Sequence, residues 1–276
     1  MSQHSIYIHL PLSMYRKYRE AVLAIPVGLE LLVDHEVLVP EFRGEMKDIA
    51  AEIRERKIPC RFHAPFRNLY PAGHDPEAVD LARRRLQGAL DLAPSFGVKQ
   101  LVVHPAWDPR GDILDREAWL DRATAFWTSM LPSLEAAGAS FVLENIFDLD
   151  PSLLVDLLAR LPEDRFGFLF DTGHFHAFSE AGLNDWLSAL GPRLQSIHIH
   201  DNGGQYDEHL ALGQGSFPWG DLFELVGAQN RPLEWTLENR SVEDVIASLR
   251  FLGQSSGIAE FRHLAEIARP QAQKRP

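Results

Sequence analysis

Short apolar and β-branched runs recur along the whole chain, at Ile6–Leu10, Gly28–Val33, Cys60–Phe62, Gln100–Val103, Ser140–Leu143, Phe166–Phe170, Leu194–Ile199 and Pro232–Leu237. Runs of that length, bounded by Gly, Pro and polar residues, predict strands. Between them, apolar residues fall three and four apart, the spacing that lines one face of a helix. Phe42, Met46, Ile49, Ala50 and Ile53 form one such stripe; Val79, Ala82, Leu86, Ala89 and Ala93 a second; Leu120, Ala123, Trp127, Met130 and Leu134 a third. Asp115 and Ser241 stand where N-caps are expected. Eight strand–helix units in 276 residues predict an α/β chain folded as a closed (β/α)8 TIM barrel, an architecture of roughly 250 residues. The alternative is an open doubly wound sheet; its dinucleotide-binding version carries G-x-G-x-x-G after the first strand, and none is present here. No Gly-, Ser- or Pro-rich linker divides the chain, so residues 1–267 are expected to be one domain, with a polar, proline-bearing tail over 268–276 that frays.

Charge narrows the choice of partner. The net charge of -12 repels phosphate backbones at long range, which disfavours nucleic acid. The single cysteine, Cys60, excludes an internal disulfide and a thiolate metal cluster, and fits a reducing cytoplasm. No apolar run reaches the ~18 residues of a membrane span. The opening MSQHSIYIHLPLS has no basic stretch leading into a long apolar one, so no signal peptide is expected. The picture is a cytoplasmic enzyme for a small substrate, with its oligomeric state left open.

Metal-ligating residue types recur at the ends of the predicted strands. The third ends at His63, the fourth at His104 and the fifth at Glu144. The sixth ends at Asp171 with His174 close behind, the seventh at His200 and the eighth at Glu238. The loop after the seventh carries Asp207 and His209. A barrel gathers these ends into one ring, on the face where barrel enzymes place their chemistry. Four clustered carboxylates repel one another unless protonated or neutralised by cations. One divalent ion fits Glu144, Asp171, His200 and Glu238. A second fits His63 and His104 with Glu144 bridging, and a third fits His174, Asp207 and His209. Zinc suits these donors best, with manganese as the alternative, at one to three ions. The remaining histidines read as structural: His198 as a hydrogen-bonded core residue one layer lower in the barrel, His9, His35 and His74 as structural or solvated, and His176 as a neighbour of the ligands. Parity along the strands predicts a buried Arg61–Glu30 pair beneath the site.

The motifs HAPF, VVHP, LEN, DTGH, HIHDN, DEHxxxGxG and a second LEN resemble the superfamily that joins endonuclease IV with the xylose-isomerase-like sugar phosphate isomerases and epimerases. The resemblance implies two alternatives. In the endonuclease IV branch, nine ligands hold three zinc ions that cleave a phosphodiester, and His63, His104, Glu144, Asp171, His174, His200, Asp207, His209 and Glu238 supply a candidate for each. In the epimerase branch, one metal sits on positions like Glu144, Asp171, His200 and Glu238, and Glu144 and Glu238 move the proton as a catalytic acid/base pair. The surplus of ligands favours phosphoester hydrolysis of a small sugar- or phosphate-containing substrate at a two- or three-metal centre. Sugar isomerisation or epimerisation is the alternative, and cleavage of abasic DNA follows at a distance.

Overall fold

The computed structural model describes residues 5–109, 116–229 and 231–267. Its strands are β1 (Ser5–Pro11), β2 (Gly28–Leu32), β3 (Cys60–His63), β4 (Gln100–Val103), β5 (Ser140–Glu144), β6 (Phe166–Asp171), β7 (Leu194–Ile199) and β8 (Glu234–Leu237). All pair in parallel and in chain order, and β8 closes on β1 with Trp235 opposite Ile6, so the sheet is a barrel without edges. The eight apolar runs are thus the eight strands, displaced by a residue or two at some ends. The last begins at Glu234 because Pro232 has no N–H to give to a ladder.

The helices are α1 (Tyr15–Leu23), α2 (Arg43–Glu55), α3 (Pro76–Phe96), α4 (Arg116–Ser129), α5 (Leu131–Ala137), α6 (Ser152–Ala159), α7 (Thr172–Phe178), α8 (Leu183–Leu190), α9 (Trp219–Ala228), α10 (Val242–Ser255) and α11 (Ala259–Ile267). Two stripes need correction. Phe42 ends a 3-10 turn before α2 and is 41% exposed, so that buried stripe starts at Met46. The third stripe spans two helices, broken at Met130. Pro132 has no N–H to offer the carbonyl four residues back, and it sits instead in the first turn of the second helix, where that N–H is not needed. Ser241 caps α10, its hydroxyl accepting from the Asp244 N–H at 3.0 Å. Asp115 and the tail 268–276 lie outside the described residues.

Strand parity separates two interiors. One set of positions, including Ile8, Leu31, Phe62, Leu101, Phe168 and Trp235, joins the apolar core beneath the helices. The other set faces the barrel axis, where Val102, Val142 and Leu169 form a small apolar cluster of their own. Glu30, Arg61, Ser196, His198 and Thr236 are buried as well. The predicted Arg61–Glu30 pair exists: Nε lies 2.6 Å from Oε2, with the side chains 2% and 0% exposed. A barrel axis lined by charge rather than by apolar layers alone is costly to bury, and it lies directly beneath the residues described next. No helix among the described residues is long and apolar enough to cross a membrane.

Candidate metal centre

The candidate ligands stand on the last residue of β3, β5 and β6 or one residue past the end of β4, β7 and β8, with His174 on α7 and Asp207 and His209 on the loop after β7. Local sequence fixes how they are held. In the DTGH stretch, Asp171 ends β6 and also caps α7, its Oδ1 accepting from the His174 N–H at 2.6 Å. That turn folds His174 back over the mouth. Gly173 is required there, since a methyl on it would overlap the ring of His200. In the first LEN, Asn145 grips the end of β6: it accepts from the Asp171 N–H at 2.8 Å and donates to the Asp171 carbonyl at 3.1 Å. In the second, Asn239 donates to the Leu210 carbonyl at 2.9 Å and so holds the loop that carries His209.

The structure brings all nine predicted residues together. The Nε2 atoms of His63 and His104 lie 3.3 Å apart, at 3.4 and 3.2 Å from Glu144 Oε2. His174 Nδ1 is 3.1 Å from Glu144 Oε1, and its Nε2 is 3.6 Å from Asp207 Oδ2. His209 Nε2 reaches Asp207 Oδ2 at 2.9 Å, and its ring stacks on His200 with centroids 4.0 Å apart. His209 holds a left-handed φ of 56°, a conformation that a non-glycine residue adopts at some cost. His200 Nε2 lies 3.2 Å from Asp171 Oδ2. Seven of the nine, with His9, Phe66, Arg67 and Arg240, line a cavity of about 430 Å³, while Asp171 and His200 are fully buried and do not line it. A larger cavity of about 540 Å³ lies between Ser5, Gly28, Pro59 and Leu264. Among the described residues no carboxylate side chain lines it, and barrel chemistry belongs to the other end.

Two histidines read as structural belong to this site. His198 does point into the barrel one layer down, yet its Nδ1 lies 3.2 Å from Glu238 Oε1, 3.6 Å from Glu144 Oε1 and 3.7 Å from Asp171 Oδ2. It faces all three carboxylates that had been grouped with His200. His9 lies 2.8 Å from Glu238 Oε1 and 3.3 Å from Glu30 Oε1. The available signal was parity: His198 and His200 are two apart and face the same way, so the motif HIHDN alone cannot rank them. His35 and His74 stay outside the site, and His176 bonds Ser216 at 3.0 Å on the surface.

Protonation states follow from the partners. A backbone carbonyl only accepts, so the Nδ1 atoms of His63, His174 and His209 must carry the hydrogen that meets Ala64 O (2.9 Å), Asn145 O (3.0 Å) and Glu238 O (2.7 Å). In the neutral ring each then presents its Nε2 lone pair to the mouth, as metal-ligating imidazoles do. Burial opposes charge on Glu144, but His104 and His198 outweigh it and hold its carboxyl well below the usual range. Glu238 is lowered in the same way by His198 and His9. Asp207 is lowered by His174 and His209 against its own burial. His198 and His174 are raised well above 6.5 despite burial, by Glu238 and Asp171 respectively before other carboxylates. His104 is lowered by burial. Glu144, Glu238 and Asp207 thus stay ionised in a buried cluster, which demands compensating positive charge.

The donor set fits a divalent cation. Glu144 Oε2, His198 Nδ1, His200 Nδ1 and Asp207 Oδ1 are all buried without a properly directed hydrogen bond. Four orphaned polar atoms in one cluster are rare in a folded protein. Ligand atoms converge within metal-binding reach in the triples His63–His104–Glu144, His200–His209–Glu238 and Glu144–Asp171–His198.

Residues 28–254 match the family described as the xylose isomerase-like TIM barrel. The chain belongs to that family. MJ1311, an uncharacterized protein of Methanocaldococcus jannaschii, is 26% identical over 216 residues, covering 73% of this chain and 71% of its own. Among solved structures, a D-tagatose 3-epimerase-like protein superposes with a TM-score of 0.78 at 19% identity, covering 96% of this chain and 98% of that one. The TTHB071 protein of Thermus thermophilus, soaked with ZnCl2, superposes with a TM-score of 0.74 at 25% identity, covering 96% of this chain and 100% of that one. These likenesses carry no support for the lean towards phosphoester hydrolysis; an L-ribulose 3-epimerase also superposes, with a TM-score of 0.74 at 15% identity, covering 99% of this chain and 100% of that one.

Proposed function

We propose that this chain is a metal-dependent isomerase or epimerase of a small sugar, with one divalent cation held by Glu144, Asp171, His198 and Glu238. The observation that carries the reading is His198 Nδ1, buried, unpartnered and facing all three carboxylates. His198 therefore takes the place first given to His200, which turns instead towards Asp171, Asp207 and His209. Oxygen and imidazole donors suit zinc or manganese. The bound ion would polarise adjacent hydroxyl and carbonyl oxygens of the sugar. Glu144 and Glu238 come from β5 and the end of β8, and both line the cavity. One of them, as the carboxylate, would take a proton from the sugar carbon, and the other, having picked up a proton from solvent, would deliver it to the opposite face. Leu10, Met14, Tyr18 and Phe66 form the apolar side of the cavity, a surface for the carbon face of a sugar. The fold-level likeness to the D-tagatose 3-epimerase-like protein points the same way.

The test is proton exchange. Metal-loaded protein, incubated with a panel of ketoses and aldoses in D2O, should place deuterium at a carbon-bound position of at least one of them. Glu144→Gln and Glu238→Gln should abolish that exchange. A second reading, hydrolysis of a phosphoester, is favoured by one specific observation, the His63–His104–Glu144 triple, which is surplus to a single ion. Metal counting separates the two: one ion per chain supports isomerisation, two or three support hydrolysis. So does the variant His63→Ala with His209→Ala. As wall residues of an isomerase they affect mainly KM. As ligands of further ions their loss removes metal and lowers kcat by on the order of 100-fold.

A further inference from the structure

Glu30 has no place in the reaction as described, and it is completely buried. It stands on β2, one layer below the ligands, where its two oxygens straddle His198 Nε2 at 2.9 and 3.1 Å. Thr236 donates to it at 3.0 Å, and His9 Nδ1 lies 3.3 Å away. Beneath it lies Arg61, with Nε at 2.6 Å from Oε2 in a contact too bent for a good hydrogen bond, so the attraction is one of charge. The guanidinium is fixed in turn by Gln100 at 3.2 Å, Glu234 at 3.1 Å and Thr236. A column of groups thus runs from Arg61 up to Glu30, then through the His198 ring to Nδ1 and the carboxylates above.

We propose that Glu30 is a positioning residue: by accepting the Nε2–H of His198 it fixes the ring's orientation and tautomer, so that the Nδ1 lone pair is presented to the metal ion. This rests on the reading of His198 as a ligand. A carboxylate can only accept, so the nitrogen facing it bears the hydrogen and the other does not. The same bond makes the imidazole a stronger donor to a cation, and losing such a partner typically weakens metal binding by about 10–100-fold. Arg61 supplies the counter-charge that lets an ionised Glu30 exist at full burial.

Two measurements test this, both using zinc and the full chain. In the first, zinc affinity is measured by competition with a chromophoric chelator. Glu30→Leu combined with Arg61→Met replaces the buried pair by apolar groups of similar size; the carboxylate left behind, Glu234, is 37% exposed and stays solvated. The double variant should melt near the wild type yet bind zinc about 10–100-fold more weakly. Glu30→Gln with Arg61→Met, whose amide oxygen still accepts from Nε2–H, should regain part of that loss. Unchanged zinc affinity in the Leu–Met variant overturns the proposal while leaving the metal centre standing. Failure of the wild type to bind zinc overturns both. The second measurement needs no change at Glu30: nitrogen-15 spectra of the zinc-loaded protein, with His198 assigned from His198→Asn. They should show hydrogen on Nε2 and zinc on Nδ1. Zinc on Nε2, or hydrogen on Nδ1, overturns the proposal even if the variants do not fold.

Discussion

Asp148 shows what one buried carboxyl does to stability. It is 4% exposed, accepts from the Ile146 N–H at 3.0 Å, and leaves Oδ1 without a partner. Burial pushes it up to about 7 from its ordinary 3.8. A carboxyl raised on folding holds its proton more tightly folded than unfolded, so its contribution is complete below about 3.8 and is lost as pH rises through about 7. Asp148→Asn, which cannot ionise, should therefore gain melting temperature relative to wild type between pH 4 and pH 8. A difference independent of pH would sink this account. Gly173 makes a steric prediction. Since a methyl there meets the His200 ring, Gly173→Ala should push His200 aside, with an overpacking cost of about 1–3 kcal/mol. Because His200 Nε2 holds the ligand Asp171 at Oδ2, 3.2 Å away, that displacement should loosen Asp171 and lower zinc affinity, as chelator competition would show; wild-type affinity would mean that His200 has room to move.

At the scale of elements, the turns matter more than the strands. The GQGSFPW loop is clamped by Asp201, which accepts from the N–H groups of Gly213 (2.8 Å) and Phe217 (3.2 Å) and from Trp219 Nε1 (2.9 Å). Gly213 stands at φ 82°, and a side chain on Gly215 would strike the Asn202 carbonyl and Asp201. The two glycines are thus conditions for closing the loop onto that carboxylate. The same loop runs back to Asp207 and His209, so its closure sets the outer part of the site. The cap of α10 offers a measurable unit. Ser241→Ala removes the bond to the Asp244 N–H and should cost about 1 kcal/mol. For a chain of this size that is a fall of about 2–4 °C in Tm, measurable by thermal melting against wild type. No fall would mean that Glu243 and Asp244 alone hold the first turn.

For the whole molecule, protons and metal ions compete for the same buried charge. Burial favours neutral imidazoles, but the carboxylates outweigh it and raise His174, His198 and His209 above the ordinary value. A bound dication takes over that compensation, and its ligands must be deprotonated. Metal binding at pH 7 should therefore release protons. Titration calorimetry in two buffers of different ionisation enthalpy should give different apparent enthalpies; identical ones would contradict the electrostatic picture. Because the ligands converge only in the fold, metal stabilises the native state. At 100 times Kd the gain is about 2.7 kcal/mol, so exhaustive chelation should lower Tm by several degrees. A Tm unmoved by both chelation and added zinc would remove the metal centre altogether.

The barrel was legible in the chain because strand and helix periods are local properties: each apolar run, Ile6–Leu10 through Pro232–Leu237, lies on a strand of the closed sheet. The ring of donors was legible for the same reason, since a strand's end is where its run stops. Parity also carried the Arg61–Glu30 pair. Local period could not see Pro132 dividing a stripe into two helices, or Phe42 turning outward before α2. Nor could it choose between His198 and His200, which share one face of one strand and differ only in depth. That choice depends on how far Glu144, Asp171 and Glu238 reach down into the barrel from three other strands. His9, from a strand more than two hundred residues distant from Glu238 in the chain, meets it only because β8 closes on β1. Sequence determines what each strand end carries; only closure of the barrel decides which of those groups share a charge.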